Sequence, residues 1–287
     1  MSETLRWGIL GTGMIAGKFA ADLKATTQGE LAATGSRNQS SADGFAAEHG
    51  GKGVAGYDAL VNDPEVDAVY NSLPNGLHAE WSIKAMEAGK HVLCEKPMAR
   101  NTAEVEEMFR VSEQTGQILV EAFMYRSHPA IQKLMDTVRG GALGQVKLIR
   151  SNFSFTREVM ESDARYQVDH AGGGLMDVGC YCVNLARAVM GSEPTETACF
   201  AHIHEKGVDD YAAGLLRFGE KTLMTFTCGM TVHNDWTTYI SGDDGEIEIQ
   251  APWFCDGTFK VTRKGKTELI EACLLYTSPS PRDQRGA

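Results

Sequence analysis

The sequence predicts an α/β Rossmann domain followed by an α+β domain with a mainly antiparallel sheet. Three observations carry this reading. Short apolar runs alternate with amphipathic segments over residues 1–122, the rhythm of βαβ units around a parallel sheet. The glycine pattern Gly11-Thr12-Gly13-Met14-Ile15-Ala16 falls between the first apolar run and the first amphipathic segment. Over residues 123–272 the pattern changes to longer alternating runs separated by turn signals.

The elements follow in order. RWGIL reads as a strand, then a helix over 14–26, the strand LAATGS, a helix over 40–49, the strand DAVYNSL, a helix over 78–88 and the strand HVLCEKP. A helix over 102–115 leads to QILVEAF, which closes the first domain near Phe123. A short helix starts near Pro129. Beyond it VKLIRSNFSF, TETACFAHIHE, YAAGLLRFGEKTLMTFTCGMT, WTTYISGDDGEIEIQAPWF and FKVTRKGKTELIE describe the second sheet, with turns at 219–221 and 242–245. One helix over 174–190 interrupts them after the glycines 172–174.

Composition narrows the function. With 43% apolar and 23% charged residues in 287, the chain can bury two cores. A formal charge of -11 without clusters of Lys and Arg argues against nucleic acid and anionic membrane surfaces as partners. The start MSETLRWGIL has no basic segment before an apolar run, and no stretch of 18 apolar residues follows, so a cytoplasmic protein is expected. The cysteines at 94, 180, 182, 199, 228, 255 and 273 lack C-x-x-C spacing and read as reduced thiols. His202 and His204 share a strand face with nothing to complete a ligand set, so no metal site is expected. From Cys273 the chain reads CLLYTSPSPRDQRGA. It resembles a translated sequencing-library adapter, which implies that 273–287 is non-native and that the second domain is truncated near Ala272.

The residues that carry chemistry cluster at predicted strand ends. Gly11 permits the tight turn of a dinucleotide-binding fingerprint, Gly13 lets the backbone approach a pyrophosphate, and the amides of Met14 and Ile15 open the helix that follows. Where NAD enzymes usually carry Asp or Glu against the ribose, this chain has Ser36-Arg37-Asn38, a set suited to the 2′-phosphate of NADP rather than to NAD. The alternative is a solvated loop arginine. After DAVYNSL, the segment with Leu73, Pro74, Asn75 and His78 can meet the nicotinamide end, although Asn75 also fits a plain turn and His78 a first helical turn. Glu95-Lys96-Pro97 ends HVLCEKP at the sheet edge where α/β proteins bind ligands. Lys96 is the first catalytic candidate, against the alternative of a strand-end lysine paired with Glu95. Asp177 and Tyr181, spaced i, i+4 after the glycines, fit one helix face and complete a proton-handling set with Lys96. Equally, Tyr181 fits a core and Asp177 a cap on the glycine turn.

With these residues in hand, residues 5–254 resemble the glucose-fructose oxidoreductase, inositol dehydrogenase and rhizopine-catabolism (Gfo/Idh/MocA) family through the glycine loop, Glu95-Lys96-Pro97 and GGGLMDVGCYCVN. EAFMYRSHP and Tyr181 resemble the branch of dihydrodiol dehydrogenases, NADP-linked D-xylose dehydrogenases and glucose-fructose oxidoreductase. The resemblance implies that Lys96 is the catalytic lysine and that Tyr181 stands where many members have histidine, which argues against inositol dehydrogenase activity. It also implies homodimers or homotetramers through the open face of the second sheet, with the active site between domains. The expected function is hydride transfer between a pyranose or related cyclic diol and NADP. A non-catalytic NADP-binding regulator would not need Lys96, Asp177 and Tyr181 together, and an NAD-dependent glycoside-cleaving enzyme of the family would release sugar.

Overall fold

A computed structural model describes residues 4–156, 158, 163–254 and 256–272; the C-terminal segment 273–287, expected to be non-native, lies outside the described residues. The chain divides into two compact units, the first ending at Ala122 and the second starting at Phe123.

The first unit runs β1 (Leu5–Leu10), α1 (Met14–Leu23), β2 (Gly29–Ser36), α2 (Gln39–His49), β3 (Lys52–Ala55), α3 (Tyr57–Val61), β4 (Ala68–Asn71), α4 (His78–Glu87), β5 (His91–Cys94), α5 (Thr102–Thr115) and β6 (Leu119–Glu121). All six strands are parallel in the order β3-β2-β1-β4-β5-β6, so every strand ends on one edge and each crossover is helical. The central strands are buried on both faces: Ile9 and Leu10 of β1 are inaccessible, and β4 is buried throughout. Space at the centre is tight. A Cβ on Gly8 would lie 2.9 Å from the Leu60 side chain, so α3 packs against bare backbone there.

In the second unit α6 (Pro129–Arg139) precedes β7 (Val146–Ser154), and a π-helical stretch, Leu175–Gly179, runs into α7 (Cys180–Met190). Seven strands follow: β8 (Glu196–Ile203), β9 (Asp209–Phe218), β10 (Thr222–Gly229), β11 (Thr238–Gly242), β12 (Gly245–Ile249), β13 (Thr258–Arg263) and β14 (Lys266–Glu271). They form one eight-stranded sheet, β14-β13-β12-β11-β7-β10-β9-β8, antiparallel except where β10 pairs with β7. The expected turns are the β9–β10 and β11–β12 hairpins.

Burial alternates along β9 and β10, as expected for a sheet covered on one face. The covered face packs on α6 and α7 in a core that includes Leu134, Leu185, Ile149, Ile240 and Ile247. The other face carries Leu148, Leu215, Leu223 and Tyr211 in the open, and beside them on β8 Phe200 is 87% exposed. None of the described helices is long and apolar enough to cross a membrane.

Candidate active site

The carboxyl edge of the first sheet gathers four loops. After β1, the Gly11 amide donates to the Gly35 carbonyl at 2.9 Å and the backbone turns with φ +99°, which a side chain would strain. A Cβ there would also press on Ser72 and Leu73, 3.3 and 3.4 Å away. Gly13 meets the opposite situation, since a Cβ would have nothing within 4 Å. It is the N-cap of α1 and has no side chain to cap the helix, while Met14 and Ile15 stand exposed in the first turn. Open space thus meets free amide donors and the positive end of a helix dipole, an arrangement that fits a diphosphate.

The next loop follows β2. Ser36 is buried, Arg37 is exposed, and Asn38 is engaged in capping α2, its side chain accepting from the Ser41 amide at 2.9 Å. The Arg37 charge reaches the Tyr57 phenol, where it opposes the burial that pushes that phenol's pKa up. No carboxylate occupies 36–38, so a cation borders the loop where a ribose would sit.

The loops after β4 and β5 are braced together. Glu95 receives the Tyr70 hydroxyl at 2.5 Å on one oxygen and the Lys96 amide at 3.2 Å on the other. The Met98 amide donates to Glu121 at 2.8 Å, and Lys96-Pro97 is a cis peptide. Lys96 is partly exposed between these supports. His78 requires a correction. Expected to face the cofactor, its ring is fully buried, with Nδ1 2.8 Å from the Pro97 carbonyl and Nε2 2.7 Å from the Leu73 carbonyl. With a backbone carbonyl against each ring nitrogen, it ties one loop to the other and has no edge left for a ligand. Leu73 is buried beside it, whereas Pro74 and Asn75 are partly exposed.

In the second unit Asp177 lies in the π-helical stretch and Tyr181 in the first turn of α7. A π-helical turn is rare and often marks a functional site. The Asp177 carboxylate accepts from Arg165 Nε at 2.8 Å, and Arg165 also pairs with Asp163 at 3.3 Å. Carboxylates on both sides raise the arginine's pKa against the burial that lowers it. Arg165 has no motif around it and escaped the sequence reading; its position seven residues before Gly172 carries no periodic signal. Tyr181 is 7% exposed among aromatic rings, edge-on to Phe123, Phe153 and Trp253 at 5.1, 5.3 and 5.5 Å. The core packing expected as the alternative is therefore what surrounds this ring. The glycine turn is not capped by Asp177: the carboxylate that receives the Leu175 amide, at 2.6 Å, is Asp209 from β9. His202 is structural in kind, with Nδ1 2.7 Å from Asp210 and its ring stacked 4.9 Å from Tyr211. Among the described residues no group of three or more His, Cys, Asp or Glu could hold a metal.

A parallel sheet with a glycine turn opening onto an uncapped helix defines a Rossmann-type dinucleotide-binding protein. The family is set by comparison. Residues 5–123 match the GFO/IDH/MocA oxidoreductase family with its NAD-binding Rossmann fold, and residues 131–248 match the family's C-terminal domain, so the chain belongs to this family. It is 36% identical over 255 residues to D-xylose 1-dehydrogenase (NADP(+)) 2 of Haloferax volcanii, covering 88% of this chain and 78% of that one. It is 33% identical over 253 residues to mouse trans-1,2-dihydrobenzene-1,2-diol dehydrogenase, with 87% and 75% covered. A crystal structure of a 3-ketoreductase from Actinomadura kijaniata in complex with NADP and TDP-benzene superposes with a TM-score of 0.86 at 29% identity, over 94% of this chain and 85% of that one.

Gly11→Ala places a side chain where φ is positive and Ser72 and Leu73 are close. A penalty of about 1–2 kcal/mol is expected for that conformation. If the free turn relaxes to relieve that strain, binding must restore it, and dinucleotide binding measured by fluorescence titration should weaken by up to roughly 5- to 30-fold.

Proposed function

We propose that this protein catalyses NADP-dependent hydride transfer at a secondary or hemiacetal hydroxyl of a pyranose sugar or related cyclic diol. One observation carries the reading: the sheet edge joins a glycine turn and an uncapped α1 to a neighbouring loop whose charged residue is Arg37 rather than a carboxylate. Relatives named as a D-xylose dehydrogenase using NADP and as dihydrodiol dehydrogenases support the substrate class.

The amides of Met14 and Ile15, beside Gly11 and Gly13, hold the diphosphate. Ser36 and Arg37 take the 2′-phosphate by hydrogen bond and charge, and Arg can do so with two parallel bonds. Leu73, Pro74, Asn75 and Glu95 line the nicotinamide end, and His78 supports them from behind. When bound, the nicotinamide supplies the hydride acceptor.

A carbinol that loses hydride must also lose its hydroxyl proton. We assign that proton to Tyr181 acting as its phenolate, which becomes the phenol on accepting it, with Lys96 polarising the hydroxyl and Asp177 orienting the sugar. Arg165 keeps the Asp177 carboxylate turned to one side. Reduction of a ketose or lactone runs the same proton transfer in reverse.

We further propose that the protein is a cytoplasmic homodimer or homotetramer formed through the open face of the second sheet. Phe200, Leu148, Leu215 and Leu223 make this face apolar, and such patches favour self-association. The described cysteines that are free, such as exposed Cys199, suit a reducing compartment.

Three outcomes test these readings. Lys96→Ala and Tyr181→Phe should each lower turnover of a reactive pyranose or diol, followed as NADPH absorbance, by about 10²–10⁴-fold while sparing NADP binding. Near wild-type turnover in Lys96→Ala would remove the lysine from the mechanism, and no turnover with any pyranose or cyclic diol would overturn the substrate class. Arg37→Ala should weaken NADP by about 10-fold or more while leaving NAD within a few-fold, since a hydrogen bond to a charged group contributes roughly 1.5–3 kcal/mol; equal loss for both would assign Arg37 to the loop alone. The double variant Phe200→Glu, Leu215→Glu should shift the mass in light scattering to that of one chain, and an unchanged mass would move the interface elsewhere.

A further inference from the structure

We propose that Asp209, the first residue of β9, is a positioning residue for the helix that carries Asp177 and Tyr181. The inference rests on the roles assigned to those two residues above. The π-helical stretch begins at Leu175 after Gly174, which provides no side-chain cap. Its leading amides would be left without partners. Asp209 supplies one from a different element: Oδ2 accepts the Leu175 amide at 2.6 Å, a charge-assisted bond at the positive end of a helix.

The glycines before the helix are shaped around this carboxylate. A Cβ on Gly173, whose φ is +118°, would overlap Asp209 Oδ1. One on Gly174 would stand 3.4 Å from Oδ2 and 3.2 Å from the Asp210 carbonyl. On the other side a Cβ on Gly172 would collide with the Arg165 carbonyl, which accepts the Gly173 amide at 2.8 Å. The run 172–174 is therefore glycine because two anchors close on it, Arg165 from the preceding loop and Asp209 from the sheet.

The sheet end of this contact is itself fixed. Asp209 pairs with Ile203 of β8. The adjoining Asp210 accepts the Thr231 hydroxyl at 3.0 Å, lies 2.7 Å from His202 Nδ1, and takes the Met230 amide on its carbonyl at 2.7 Å. Asp209 is thus held where it sets the start of the helix, and Asp177 follows two residues later. Arg165 fixes the Asp177 side chain, whereas Asp209 fixes the backbone from which that side chain and Tyr181 project. Burial pushes the Asp209 pKa up, with the neighbouring Asp210 adding to the shift, while the Leu175 and Gly174 amides pull it down. The sheet tolerates that buried carboxylate because helix amides face it.

The test compares Asp209→Ala and Asp209→Asn in the purified protein with hydrogen–deuterium exchange over residues 173–183, kcat, and the Kd for NADP. In Asp209→Ala, exchange over 173–183 should rise, kcat should fall about 10- to 100-fold through misplacement of the reacting groups, and Kd should stay unchanged. Asn keeps one acceptor of the same shape, so it should fall between alanine and wild type in both exchange and kcat. If the alanine variant fails to fold, the asparagine variant decides: raised exchange over 173–183 supports the proposal, and wild-type exchange with wild-type kcat overturns it. Asp177→Asn and Tyr181→Phe keep the two readings apart. Full activity in both alongside raised exchange in the Asp209 variants overturns the catalytic assignments and the kinetic half of this proposal, leaving only a structural cap. Inactive Asp177→Asn and Tyr181→Phe with an unaffected Asp209→Ala overturn the positioning role alone.

Discussion

The position of β1 between β2 and β4 is the constraint from which the first unit follows. Because the chain leaves β1 toward β2 on one side and later returns to β4 on the other, the loops after β1 and β4 diverge and leave a crevice at the carboxyl edge. Ser72 closes the base of that divergence, its hydroxyl donating to the Leu10 carbonyl at 2.7 Å and its amide to the same oxygen at 3.2 Å. The strands must approach closely for this to work. Gly8 and Gly35 permit it, since a Cβ on either would press on Leu60, whose burial closes that side of the sheet.

The second unit solves a different problem with similar means. A helix that starts without a side-chain cap leaves the amides of its first turn to find partners elsewhere in the fold. Three glycines let neighbouring groups reach the backbone, and the Asp209 carboxylate from the sheet accepts the Leu175 amide. The aromatic rings around Tyr181 restrict its side chain further, at the expense of burying most of the residue that carries the phenol.

Much of this was legible in the sequence. The parallel strands end where short apolar runs meet Gly, Pro or Asn, so Gly11, Arg37, Pro74 and Lys96 fall on one edge from the sequence alone. The β9–β10 and β11–β12 turns were legible for the same reason, whereas the turn between β13 and β14 lay inside what reads as one run. Lys52–Ala55 was not, because an edge strand of Lys, Gly, Val and Ala has no alternation to detect, and the five residues of α3 are too few for a helical period. Arg165 and Asp209 were illegible for a deeper reason. Their partners lie 12 and 34 residues away, and Val-Asp-Asp-Tyr reads as an ordinary strand start until the helix it caps is folded against it. The parallel pairing of β7 with β10 is likewise a long-range choice that alternation within either strand does not encode.

His78 shows how such long-range contacts change a residue's meaning. Read locally, a histidine just after Pro74-Asn75 is a cofactor ligand or a helix residue; folded, its ring is enclosed between two carbonyls. A doubly protonated ring could donate to both, and those two bonds raise its pKa, but burial is the larger effect and lowers it, with Lys96 nearby lowering it further. A neutral ring donates to only one carbonyl at a time. The two carbonyls and the burial thus pull the ring in opposite directions, and burial is the stronger. The brace joins the loop after β5 to the loop after β4 by fitting the ring between two backbone carbonyls, and so fixes the backbone next to Lys96.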